Sequence, residues 1–169
     1  PKDNFSYSTV YRIRITTGTK DSSGNSLTSQ WTTSSGFQTI PAPPILTEVT
    51  VVTTPTNDTT PDYTFSSSEA GTITYGGSCS SSTTSATTDN NTITLISLSD
   101  GTYLDCTITV TDTASNSVTL NISSFVIDTI EPTVNTISPT DNQSGASVSI
   151  DILVTFSESM DNTSITTNT

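Results

Sequence analysis

The 169 residues carry 16 Asp and Glu against 4 Lys and Arg, a formal net charge of −12, and contain no histidine. So acidic a chain repels phosphate backbones and anionic lipid, which are held through Lys and Arg, so nucleic-acid binding is set aside. Hydrophobic residues are only 30% and charged residues 12%, and that scarcity marks disorder unless β-branched residues abound. Thr, Val and Ile do abound here, which predicts all-β structure in thin-cored domains, about two small ones by length.

Taken in chain order, the first predicted strand is YRIRI, with Tyr11, Ile13 and Ile15 on one face. The turn TKDSSGNSL (19–27) follows, and then WTTSSGFQT, a strand region with Trp31 and Phe37. IPAPPILTE (40–48) is rich in proline, which fixes φ and removes N–H donors, and reads as a stiff extended linker. Strands DYTF, TITY and TITLISL come next, then CTITV, SVTLNISSFVI and VSIDILVTF (148–156). Each alternates apolar residues with Thr or Ser, the mark of a strand buried on one face. Turn signals at Gly76-Gly77, Asp89-Asn90, Asp100-Gly101 and Ser144-Gly145 separate them at the spacing of a sandwich. No segment has helical periodicity, and no apolar run reaches the roughly 18 residues that would span a bilayer. The lack of a recognisable signal peptide fits a segment of a longer secreted protein.

Cys79 and Cys106 are the only cysteines. An even count in a Ser- and Thr-rich acidic chain predicts one disulfide and an oxidising compartment. Its loop of about 28 residues is worth ~3–4 kcal/mol on chain-entropy grounds; the alternative is two free buried thiols. Two soft ligands without histidine do not make a zinc site.

The turn at 19–27 recurs. Asp21, three small residues, Asn25, Ser26 and Leu27 correspond to Asp112, three small residues, Asn116, Ser117 and Val118. A tyrosine opens the strand before each, Tyr11 ten positions ahead of Asp21 and Tyr103 nine ahead of Asp112. One supersecondary unit is thus written twice, which predicts tandem modules.

These residues resemble bacterial immunoglobulin-like repeats of large surface proteins. LSDGTYLDC (98–106) resembles the tyrosine corner of such sandwiches, with Tyr103 as the corner residue and Tyr11 its counterpart, although Cys106 sits one position late. Residues 1–40 resemble the second half of the surface-layer type of Ig-like domain, and 131–169 its first half, through FSESMD at 156–161. Residues 44–130, entered through a linker at 41–47, resemble one complete repeat of a long adhesin. The resemblance implies tandem Greek-key β-sandwiches in which one whole module is flanked by two halves. It also implies a structural role at the bacterial cell surface, in an adhesin stalk or a filament. Neighbouring repeats or identical copies would be the partners, with the halves completed by absent chain or by another copy.

In adhesin repeats of this kind Ca²⁺ stiffens the junctions between domains. Carried over, the ligands are Asp112, Asn116, Asp128 and Glu131, with Asp58 or Asp62 added from TNDTTPDYTF. The alternative is that these Asp and Asn side chains cap their own turns. DSSGN matches the start of an EF-hand loop at Asp21, Ser23 and Asn25 but lacks its glycine and distal glutamate. A serine nucleophile would lack a general base, since histidine is missing and lysine occurs only at 2 and 20, so no enzyme is expected. The rival reading is a ligand- or carbohydrate-binding accessory module of a secreted protein, which would need an exposed aromatic strip.

Overall fold

The computed structural model describes residues 4–166, and these form strands and turns without a helix. The chain divides into two units, Pro1–Ile127 and Asp128–Thr169.

In the first unit four two-residue strands come first: β1 (Val10–Tyr11), β2 (Arg14–Ile15), β3 (Trp31–Thr32) and β4 (Phe37–Gln38). β1 pairs with β4 and β2 with β3, both antiparallel. The sequence predicts one strand over 11–15, and the structure breaks it at Arg12 and Ile13. The Thr33 hydroxyl there takes the Ile13 N–H in place of a ladder carbonyl, at 3.1 Å. Phe5, Tyr11 and Phe37 gather their rings, with centroids 4.6, 5.5 and 5.9 Å apart. The strands that carry Tyr11, Trp31 and Phe37 belong to two-stranded pairs, and Phe5, Trp31 and Phe37 remain exposed.

The central residues build a thicker object. β5 (Leu46–Thr50), β6 (Asp62–Ser67) and β9 (Asp89–Thr94) form a sheet in the order β5-β6-β9. β7 (Gly71–Gly76), β8 (Ser85–Ala86), β11 (Thr107–Thr111) and β12 (Ser117–Asn121) form another, ordered β12-β11-β7-β8. All the pairings are antiparallel. A last pair, β10 (Gly101–Tyr103) with β13 (Phe125–Ile127), is extended by a parallel bridge from Thr56 to Ile127. Tyr63, Phe65 and Ile93 from the first sheet meet Ile73, Ile108 and Val110 from the second in one buried cluster. This arrangement is consistent with a β-sandwich. Each large side chain fully buried in it contributes about 2 kcal/mol.

The outer faces explain how so polar a chain makes sheets. Thr64 stands opposite Thr92, Thr109 opposite Thr119, and Thr111 opposite Ser117. Each pair shares a hydroxyl–hydroxyl hydrogen bond of 2.7–2.8 Å. Threonine supplies a β-branched carbon for the pleat and a cross-strand partner for its neighbour. SVTLNISSFVI, read as one strand, is two: Ile122 donates its N–H to the Cys106 carbonyl and Ser123 turns away, so the chain leaves β12 for the pair with β10.

In the second unit β14 (Val134–Ser138) pairs with β15 (Leu153–Phe156) across a bulge between Val134 and Thr136. Thr136 and Thr155 share a hydroxyl hydrogen bond. The strand predicted over 148–156 is realised only from Leu153, and Val148, Ile150 and Ile152 lie exposed.

Candidate functional site

The two Asp turns have the same hydrogen bonds. In the first, Asp21 Oδ1 accepts from the N–H groups of Ser23 and Asn25, and Oδ2 accepts from Asn25 Nδ2. In the second, Asp112 Oδ1 accepts from the N–H groups of Ala114 and Asn116, and Oδ2 from Asn116 Nδ2, each at 2.8 Å. The backbone repeats too, Asp21 N–H to Asn25 carbonyl and Asp112 N–H to Asn116 carbonyl. The residue before each Asn is left-handed, Gly24 at φ 89° and Ser115 at φ 69°. Each turn is therefore closed by its own carboxylate.

The Asn116 side-chain amide draws the Asp112 carboxyl below its ordinary value; burial opposes it, and the N–H groups of Asn116 and Ala114 add to the lowering. Asp21 is lowered in the same way, first by the Asn25 side-chain amide and then by the Asn25 N–H. The settings differ. Asp112 is 7% exposed, one of the buried polar residues, whereas Asp21 is exposed. Asn116 also reaches the Pro41 carbonyl of the linker at 3.4 Å.

This bonding does not fit Asp112 and Asn116 as cation ligands. The amide turns its N–H, not its oxygen, toward the carboxylate, and a shared cation would have to displace it. The other calcium candidates are engaged separately. Asp58 Oδ1 accepts from the Thr60 N–H and hydroxyl, Asp62 Oδ1 from the Thr94 hydroxyl across the strand pair, and Asp128 Oδ1 from the Ile130 N–H. Glu131 is exposed. Among the described residues no three His, Cys, Asp or Glu side chains are grouped to hold a metal ion.

Cys79 and Cys106 are bonded, with Cα atoms 5.2 Å apart. The bridge links the turn after β7 to the residue before β11, so it ties two neighbouring strands of one sheet at their ends. Gly77 makes that approach feasible. It is left-handed at φ 71°, and a Cβ there would lie 2.0 Å from the Asp105 carbonyl oxygen. Ser78 Oγ adds a hydrogen bond of 2.9 Å to Asp105 Oδ2.

Tyr103 donates its hydroxyl to the Ser99 carbonyl at 2.8 Å and stacks on Phe125, centroids 5.1 Å apart and nearly parallel. Tyr11 is tied differently, its hydroxyl accepting from the Ser6 N–H at 2.9 Å. Both link a strand to backbone a few residues upstream.

Sequence reasoning missed the polar centre of the central residues. Glu48, on β5, accepts from the Tyr63 hydroxyl and the Ser123 N–H at Oε2, both at 2.9 Å, and from Ser123 Oγ at Oε1, at 2.6 Å. Burial pushes this carboxyl up, but the Ser123 hydroxyl and N–H and the Tyr63 hydroxyl outweigh it, leaving Glu48 below its ordinary value. Burial, and then the hydrogen bond and charge of Glu48, push the Tyr63 phenol well above its own. A bulge in β5 between Glu48 and Thr50 accompanies this latch. It joins an edge strand, a core strand and the corner after β12. The only sequence signal was an acid at a strand position beside a proline-rich stretch.

No protein-family model, curated protein or solved structure matches the chain. No helix among the described residues is long and apolar enough to cross a membrane.

Proposed function

We propose that the chain is a structural segment of an extracellular fibre, an adhesin stalk or surface filament of the bacterial cell surface, built from tandem Ig-like repeats. The observation that carries this reading is the Asp turn, which occurs twice with the same hydrogen bonds, one copy on a thick module and one on a thin segment. A repeated closing turn is the mark of a repeated module. Asp21, Glu48 and Asp112 all serve internal hydrogen bonds, which suits a spacer that bears load. The disulfide suits an oxidising compartment. Pulling single chains tests the reading. Extension should include one cooperative rupture of the central module, after which the residues enclosed by Cys79 and Cys106 stay unextended unless a reductant is present.

The carbohydrate-binding reading has Trp31, 53% exposed, as its best support. Selective retention of the folded chain on a glycan array would replace the spacer reading with that one.

A further inference from the structure

We infer that the second unit of one copy seats on the amino-terminal strands of another, head to tail, guided by opposite charge. The inference rests on the fibre reading and names its partner, a second copy of this chain.

Three observations support it. The charge is divided along the sequence. Residues 1–40 hold all 4 cations (Lys2, Arg12, Arg14 and Lys20) against the 2 acids Asp3 and Asp21; Lys2 and Asp3 lie outside the described residues. Residues 128–169 hold no cation and the acids Asp128, Glu131, Asp141, Asp151, Glu158 and Asp161. One region is net positive and the other wholly negative, and surfaces so matched attract and orient each other.

Apolar side chains are exposed in both regions. Val10, Ile13, Ile15, Trp31 and Phe37 lie exposed beside Arg12 and Arg14, and Ile150, Ile152 and Leu153 lie exposed around Asp151. β1 with β4, β2 with β3 and β14 with β15 are all two-stranded, so each leaves strand edges free to take another strand.

Sedimentation of the full chain tests this. Association should grow with protein concentration and weaken roughly tenfold as salt rises from about 0.05 to about 0.5 M, where screening becomes strong. Arg12→Glu with Arg14→Glu should abolish association, and so should Asp151→Lys with Glu158→Lys, because each places like charges at the junction. Mixing the two variants restores opposite charges at every junction and should restore association. A wild-type chain that stays monomeric at all concentrations, association indifferent to salt, or mixed variants that stay monomeric would each overturn the inference. The salt series uses only wild-type protein and stands even if a variant fails to fold. A monomer without glycan binding would remove this inference and leave the spacer reading intact; a monomer with selective glycan binding would remove both.

Discussion

The amino-terminal segment and the central module are made of the same parts, yet only one of them is closed. Tyr11 and Tyr103, Asp21 and Asp112, Asn25 and Asn116 occupy matching places, and the Asp turns share their hydrogen bonds. In the central module a second sheet lies behind the strands, and Tyr63, Phe65 and Ile108 are wholly buried. In the amino-terminal segment each strand pair is only two residues long, and Trp31 and Phe37 remain exposed. Local hydrogen bonding therefore does not need the core. A turn closed by its own Asp forms on either support, and what the core adds is stability rather than shape.

That contrast can be broken most strongly at the disulfide. Replacing Cys79 and Cys106 with Ala should destabilise the central module by ~3–4 kcal/mol, read by urea denaturation, while leaving exchange at the β1–β4 amides unchanged. Glu48→Ala should cost about 2 kcal/mol, since it removes three hydrogen bonds to a carboxylate; a melting temperature equal to wild type would remove the latch from the account.

A smaller effect separates the two Asp turns. Asp112→Ala should lower the melting temperature by several degrees and Asp21→Ala by less, because only Asp112 is buried against a core. The pH dependence has a fixed sign. Glu48 and Asp112 are held below their ordinary values, so their contribution is whole above the unfolded-state values, near 4.5 and 3.8, and is lost as pH falls through the folded-state ones. Stability of the central module should fall on acidification from about pH 5, and the Asp112→Ala variant should show a shallower fall. The smallest change is a gain: Ser115→Gly relieves a left-handed non-glycine residue, and Gly24 already occupies the matching position. It should stabilise by ~1 kcal/mol in the same denaturation assay. Chelation should leave melting unchanged, since the Asp112 carboxylate already accepts from N–H groups; a drop in melting temperature with chelator would support a bound calcium ion.

Much of the fold was legible where a rule of short range governs it. Alternation located β6, β7 and β11 because each has one apolar face, and the repeated Asp-to-Asn spacing marked both turns before any geometry was known. Alternation also overran. It joined Ile122 to Phe125 through a corner; three positions apart they would face opposite sides of one strand, yet both are buried because the chain changes sheets between them. It likewise extended β15 back to Val148, which alternates without a face to bury against. The Glu48 latch was illegible for a different reason. Its partners lie 15 and 75 residues away, and a glutamate next to prolines reads as a solvated linker residue until Ser123 is brought beside it. The bonding of Asp112 was illegible for a similar reason, since sequence shows which residues carry oxygen, but not which N–H groups already hold it.

Amide hydrogen exchange across a concentration series tests the contrast most directly. Amides of β6, β7, β9 and β11 should be strongly protected at every concentration, while those of β1–β4, β14 and β15 should exchange fast in dilute solution and slow together as concentration rises. Protection of the outer strands that equals the central module's and does not change with concentration would contradict the account.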